Sequence, residues 1–241
     1  MSNLLTATDA QRVAVVSGAR KETIMKTVHL FLLMGVLIMS FTNAAERPPK
    51  PEKDLPAGKA GETRSAVFAG GCFWCTEAVY RQIKGVKSVT SGYAGDTKDK
   101  ADYKTVCTGT TKHAEAIKFE YDPTQITYGQ LLQIFYVAHD PTTKDQQGND
   151  HGHQYRSAIF YASEEEKNVA EAYIKQLETT KTFHAPIVTT LEKLTEFFPA
   201  EDYHQNFVEL NPNQGYVRQC SLPKVRKIRE VFADWLKKDG K

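Results

Sequence analysis

No excess charge of one sign marks this chain. Its net charge is +2, from 31 basic and 29 acidic side chains among 241 residues. No basic stripe or acidic block breaks that balance, so nucleic acid is not an expected partner. Cysteine is scarce. Cys72, Cys75, Cys107 and Cys220 are the only four, too few to staple a chain of this length as a disulfide scaffold. They point instead to redox or metal chemistry, or to the core. Methionine is confined to Met1, Met25, Met34 and Met39, and none follows. A body without methionine has no such side chain to lose to sulfoxide formation, which suits an oxidising setting. No apolar run reaches the ~20 residues of a membrane span. The longest, residues 28–41, is about fourteen, so no stable membrane partner is expected. Internal repeats are absent, which excludes a solenoid. What is present, 41% hydrophobic and 25% charged residues, suffices for one packed domain with appendages.

Arg20, Lys21 and Lys26 precede the apolar run, and Thr42-Asn43-Ala44-Ala45 follow it. That is the layout of a secretory signal peptide. Residues 1–45 are therefore expected to direct export to the periplasm or beyond, with Met25 as an alternative start. Without use of that segment the protein would stay cytoplasmic. Cleavage would remove four basic and two acidic residues and leave 27 of each. Residues 46–61 carry Pro48, Pro49, Pro51 and Pro56 among charged side chains and read as an extended linker.

The stretch Gly70-Gly71-Cys72-Phe73-Trp74-Cys75 follows a short apolar strand pattern at 64–69 and opens a helical pattern at 72–84. A thiol at a helix N-terminus meets free N–H groups and the positive end of the helix dipole, which favour thiolate. Residues 86–93 read as a strand, and 96–112 as a loop carrying Tyr103 and Cys107. In 113–121, Ile117, Phe119 and Tyr121 alternate with Lys118 and Glu120, as in a half-buried strand. Glu115 falls on the inward side of that alternation. Burial raises a carboxyl pKa, and a carboxyl kept protonated is a general acid.

Residues 127–138 read as a helix and 140–153 as a polar, glycine-containing loop that shapes a pocket. His151 and His153 beside Asp150 are a weak metal signal, and no metal is expected. A central strand is expected at 155–162. Ser163 and Glu166 form a capping-box pattern for a helix to 179. A strand at 187–191, a short aromatic helix over 197–207, and a helix at 225–236 with a solvated basic face complete the chain. Strands alternating with helices indicate a two-layer α/β sandwich.

Four separated motifs resemble the peptide methionine sulfoxide reductase A family over residues 65–223. They are Gly70-Gly71-Cys72-Phe73-Trp74, His113-Ala114-Glu115-Ala116, Gly148-Asn149-Asp150-His151-Gly152 with Gln154-Tyr155-Arg156-Ser157, and Tyr203-His204-Gln205. The resemblance implies an α+β fold: a single-domain, two-layer ferredoxin-like sandwich with a mixed sheet and irregular flanking loops. The domain would span 62–223, followed by a C-terminal helix in 224–241. It implies reduction of the S epimer of methionine sulfoxide, free or in proteins, with no cofactor and an external dithiol as reductant. By motif position Cys72 resembles the nucleophile, Glu115 the acid, and Tyr103 and Tyr155 the hydroxyls that hold the sulfoxide oxygen. Asp150 resembles a site carboxylate, and Phe73 and Trp74 the walls of the methyl pocket. Thioredoxin is the usual partner; after export a periplasmic thiol carrier would replace it. A monomer is expected.

The chain departs from the family in places. Val217 stands after Gly215-Tyr216 where many relatives have cysteine, and Lys112 stands where glycine is common. The resolving thiol is therefore sought at Cys75, one helical turn from Cys72, then at Cys220, with Cys107 third. Two other readings fit part of the pattern. Cys72-x-x-Cys75 suits a thioredoxin-like oxidoreductase, although Phe73-Trp74 would crowd a disulfide partner. A non-catalytic exported binding module with one disulfide is the other.

Overall fold

The computed structural model describes residues 47–238. The expected export segment, with its apolar run and Met25, lies outside the described residues. The strands are β1 Arg64–Gly70, β2 Val86–Ala94, β3 Ala114–Tyr121, β4 Gln146–Gln147, β5 Asp150–His151, β6 Ser157–Tyr161, β7 Thr190–Lys193 and β8 Phe197–Pro199. The helices are α1 Phe73–Arg81, α2 Tyr103–Val106, α3 Tyr128–Ala138, α4 Glu164–Thr179, α5 Phe207–Leu210 and α6 Leu222–Val231. Among the described residues, six strands join in the order β7-β6-β1-β3-β2-β8, and β4 pairs with β5 as a separate hairpin. The run β1-α1-β2-β3-α3-β6 yields the four central strands β6-β1-β3-β2, each antiparallel to its neighbour. That is the ferredoxin-like arrangement. β7 adds in parallel to β6, which makes the sheet mixed.

Strand alternation decides what each face buries. Phe68, Ile117, Phe119 and Tyr121 pack with residues of α1 and α3 in the main core. Val67, Ala69, Ala114, Ala116, Ala158 and Phe160 point the other way, where Leu194 and Phe197 cover them. Glu115 shares the helix-side face with Ile117, so β3 aims its carboxyl at the start of α1. Helix α3 begins with a full capping box: Thr127 Oγ1 accepts from Gln130 N at 3.2 Å, and Gln130 Oε1 from Thr127 N at 2.9 Å.

Three local expectations need correction. The aromatic segment 197–207 is not a helix. Pro199 disfavours helical backbone at Phe198, and β2 offers an open edge, so Phe197–Pro199 pairs there as β8. The chain then turns through Asp202–His204 and a left-handed Asn206 (φ 55°) into α5. The C-terminal helix starts early, from a π-helical turn at Val217–Ser221. It stops at Phe232, whose φ of −124° is not helical, and a short 3-10 turn follows.

The proline-rich segment is not a free spacer. Its carbonyls, in a stretch poor in competing N–H groups, are taken by donors from two helices. Gln133 Nε2 donates to Pro48 O (2.9 Å), Tyr173 Oη to Pro49 O (3.0 Å) and Gln176 Nε2 to Lys50 O (2.8 Å). Arg47 lies over the Phe232 and Trp235 rings and donates to Val231 O at 2.8 Å. The segment is a strap across α3, α4 and the end of α6.

His139, at the end of α3, sits behind the Gly70 turn. Nδ1 faces Phe135 O and Nε2 faces Ser157 Oγ, each at 2.7 Å. A carbonyl only accepts, so Nδ1 carries the proton and Nε2 accepts from Ser157. Burial lowers its pKa to about 4. The unfolded chain takes up this proton near pH 6.5 and the folded chain does not until about pH 4. Stability should therefore fall as pH drops through that window, by about 3 kcal/mol in all. Urea midpoints against pH should be flatter by that amount in His139→Gln. Parallel curves would reject the assignment.

Candidate active site

Gly71 makes the turn before α1 for two reasons. Its φ is +86°, and a Cβ there would lie 2.5 Å from Gln147 Cγ. Gln147 in turn holds Asp140 through both its amide atoms (3.1 and 3.0 Å) and pairs across the hairpin with Asp150. The turn that delivers Cys72 thus also seats the strand that carries Asp150. Cys72 is the N-cap of α1, and both Cys72 and Cys75 are buried.

Glu115 closes the site from β3. It is buried, and Oε2 accepts from Phe73 N at 3.0 Å. Burial pushes its pKa up to about 8, against the pull of the Phe73 N–H; Asp150 adds to the rise. The carboxyl is therefore protonated at neutral pH, with Oε1 left to carry the proton. The expected low pKa of Cys72 is not found. Burial first, then Cys75 and the Glu115 charge, push its thiol well up. The helix terminus that was to stabilise a thiolate directs its Phe73 N–H to Glu115 instead.

Tyr103 opens α2, and Tyr155 ends the 3-10 turn His153–Tyr155. Burial raises both phenol pKa values, and the charges of Glu115 and Cys72 act on both. These side chains, taken from four separate segments, therefore converge on one site. Phe73 is buried against His204 (centroids 5.0 Å) and Tyr93 (5.9 Å). Trp74 is half-buried. It stacks on Phe207 at 3.8 Å, meets Tyr216 edge-on at 5.8 Å, and donates from Nε1 to His204 Nδ1 at 3.1 Å. His153 is taken by Asp145 at 2.9 Å, and no group of three metal-ligating side chains gathers among the described residues.

Three residues of the site had no assigned part. His204 lay in a quoted motif without a role. Tyr216 donates to Asp150 Oδ2 and lies 3.9 Å from Cys75 Sγ; its only signal was its place after Gly215. Ser221 Oγ is 3.2 Å from Cys75 Sγ, and nothing in its local sequence marks it. Cys220 is half-buried in the π turn, close enough to Cys75 for that charge to raise its pKa after burial does. Cys107 is exposed at the end of α2, beside Tyr103.

The family model for peptide methionine sulfoxide reductase matches residues 64–236. The peptide methionine sulfoxide reductase MsrA 2 of Synechocystis is 52% identical over 192 residues, covering 78% of this chain and 90% of that protein. The MsrA of Deinococcus radiodurans is 49% identical over 172 residues, 71% of this chain and 84% of the relative. Among solved structures, Mxr1 from Saccharomyces cerevisiae in reduced form is similar, with a TM-score of 0.57 and 33% identity over 65% of this chain and 90% of that one. Methionine sulfoxide reductase A of Corynebacterium diphtheriae gives 0.56 and 34%, over 65% and 78%. A match to so much of the chain assigns it to this family rather than to a thioredoxin-like disulfide oxidoreductase or a non-catalytic binding module. The chain belongs to the peptide methionine sulfoxide reductase family, and it reduces the S epimer of methionine sulfoxide to methionine.

Proposed function

We propose that Cys72 attacks the sulfoxide sulfur while Glu115 Oε1–H protonates the oxygen. The observation that carries this is the Glu115 carboxyl, buried at the mouth of α1 with its pKa near 8 and one oxygen held by Phe73 N. A sulfoxide oxygen leaves poorly until protonated, and a protonated carboxyl supplies what a thiol cannot. Tyr103 and Tyr155 hold the oxygen as charge develops on it. Phe73 and Trp74 receive the methyl group, and Asp150 orders Tyr216 beside them. The sulfur leaves as a sulfide, its oxygen passes to Cys72, and a sulfenic acid remains.

Cys75 resolves that sulfenic acid. It sits one turn along α1, and the two thiols shift each other in opposite directions, Cys72 lowering the pKa of Cys75 and Cys75 raising that of Cys72. The S–S bond forms, the S–O bond breaks, and the oxygen leaves as water with the proton that Cys75 gives up. An external dithiol, thioredoxin or a periplasmic thiol carrier, then reduces the disulfide. The protein works as a monomer on oxidised proteins after export, a reading supported by the basic residues, apolar run and small residues of 1–45.

With thioredoxin as reductant, Cys75→Ser should form one methionine per chain and then stall. Cys220→Ser should cycle. Methionine release followed past the first turnover separates them; continued cycling in Cys75→Ser moves the resolving role elsewhere.

A further inference from the structure

The π turn before α6 does work that the sulfoxide step does not need. Tyr216 and Ser221 are five residues apart. On a regular helix, side chains five apart lie about 140° apart around the axis. The wider turn of Val217–Ser221 brings such a pair toward one side. Both hydroxyls accordingly face the same sulfur, Cys75 Sγ, at 3.2 Å from Ser221 and 3.9 Å from Tyr216. Ser221 is fully buried and its hydroxyl has Cys75 as its partner. Cys75 is fully buried too, so no water competes for that contact.

We propose that Ser221 is a positioning residue for the resolving step: its hydroxyl, presented by the π turn, stabilises the Cys75 thiolate and aims it at Cys72. This rests on Cys75 as the resolving thiol. The attack needs Cys75 as thiolate in a dry site, where a charge without hydrogen bonds is costly. A hydroxyl donor supplies one such bond without adding a competing nucleophile, which Cys220 in that place would be. The other groups acting on Cys75 are Cys72 on the same helix, Glu115 from β3, Cys220 from the π turn and Lys224 from α6. Lys224 favours the thiolate and Glu115, once ionised, opposes it. Tyr216 is committed as donor to Asp150, which leaves Ser221 as the hydroxyl free to donate. During resolution, the Cys75 thiolate bonds to the Cys72 sulfur as the S–O bond breaks, and the displaced oxygen leaves as water with the proton that Cys75 gave up on ionising. Ser221 keeps its proton throughout.

The test is single-turnover disulfide formation against pH, on the full chain pre-oxidised with methionine sulfoxide and without reductant. Loss of free thiols reports the disulfide, and dimedone labelling reports the sulfenic acid. Ser221→Ala should slow disulfide formation about tenfold on the acid side of its profile and converge with wild type at alkaline pH. Ser221→Thr, which keeps the hydroxyl, should recover the wild-type profile. A Ser221→Ala profile that overlays wild type overturns the proposal, as does a slowing that is equal at every pH. If Ser221→Ala does not fold, the Ser221→Thr chain in heavy water carries the test through a proton inventory of the same step, where an inventory without a bridging-hydroxyl contribution rejects it. Cys75→Ser run alongside separates the two claims. Cycling in Cys75→Ser defeats the resolving assignment; stalling there with an unaltered Ser221→Ala defeats only the role of Ser221.

Discussion

Cys72→Ser should abolish methionine formation, by on the order of 10⁴-fold or more, with dithiothreitol or a protein dithiol as reductant. The reason is electronic rather than steric. In the proposed reaction an oxygen moves from the substrate sulfur to the Cys72 sulfur, and a serine oxygen cannot take it up as a sulfenic acid. The substitution is nearly isosteric at a buried N-cap whose side chain makes no cap hydrogen bond, so the fold should hold. Serine at an N-cap is in fact favourable. Methionine release measured by amino-acid analysis, with urea unfolding as a control, reads the result. A folded Cys72→Ser chain that still turns over would assign the nucleophile to Cys75 or Cys220.

The second large effect concerns Glu115→Gln, which should lower kcat by roughly 10²- to 10⁴-fold with little change in KM. Glutamine keeps the shape and can still accept from Phe73 N, so the Cys72 turn remains seated. What it cannot do is give a proton to the sulfoxide oxygen. The pH profile adds an independent readout. With Glu115 as the proposed acid, its protonated form is the working one, so the wild-type chemical step should decline as pH rises through about 8, where burial has raised the Glu115 pKa. That alkaline limb should vanish in Glu115→Gln. A variant with the same limb would transfer the acid role to another group, with Tyr103 and Tyr155 next in line.

The raised pKa of Cys72 has a consequence for the whole cycle. A buried thiol that resists ionisation is protected from adventitious oxidants, since the thiolate is the reactive form. In the proposed cycle its proton leaves as its sulfur bonds to the substrate sulfur and the Glu115 proton passes to the sulfoxide oxygen, so a free Cys72 thiolate need not coexist with the Glu115 carboxylate that would oppose it. The two acids, carboxyl and thiol, thus share one small volume in which only one negative charge is comfortable at a time.

How much could be read beforehand divides along physical lines. Glu115 was legible because strand alternation is a local rule: a carboxylate in the phase of Ile117 and Phe119 must point inward. Gly71 and Cys72 were legible because a glycine turn between a strand and a helix needs only neighbouring residues. The aromatic segment 197–207 was misread because a helix and an edge strand compete for it, and the winner depends on a free edge of β2 that lies about a hundred residues earlier. The thiol pKa of Cys72 was misjudged for the same kind of reason. Its helix terminus is local, but the carboxyl that claims the Phe73 N–H arrives from 42 residues away.

The sequence by itself placed the atoms of the proposed reaction: a cysteine at a helix start, an inward acid and two aromatics beside them, each set by neighbours a few residues apart. Tertiary structure decided their electrostatics and the second half of the cycle. The contact of Trp74 with His204 spans 130 residues, and those of Cys75 with Ser221 and Tyr216 span 146 and 141. Propensity and periodicity carry no information over such distances. Only the packing of α6 and its π turn against α1 sets which hydroxyl meets which sulfur; burial there raises the Cys72 pKa, while Cys72, Lys224 and the two hydroxyls lower that of Cys75.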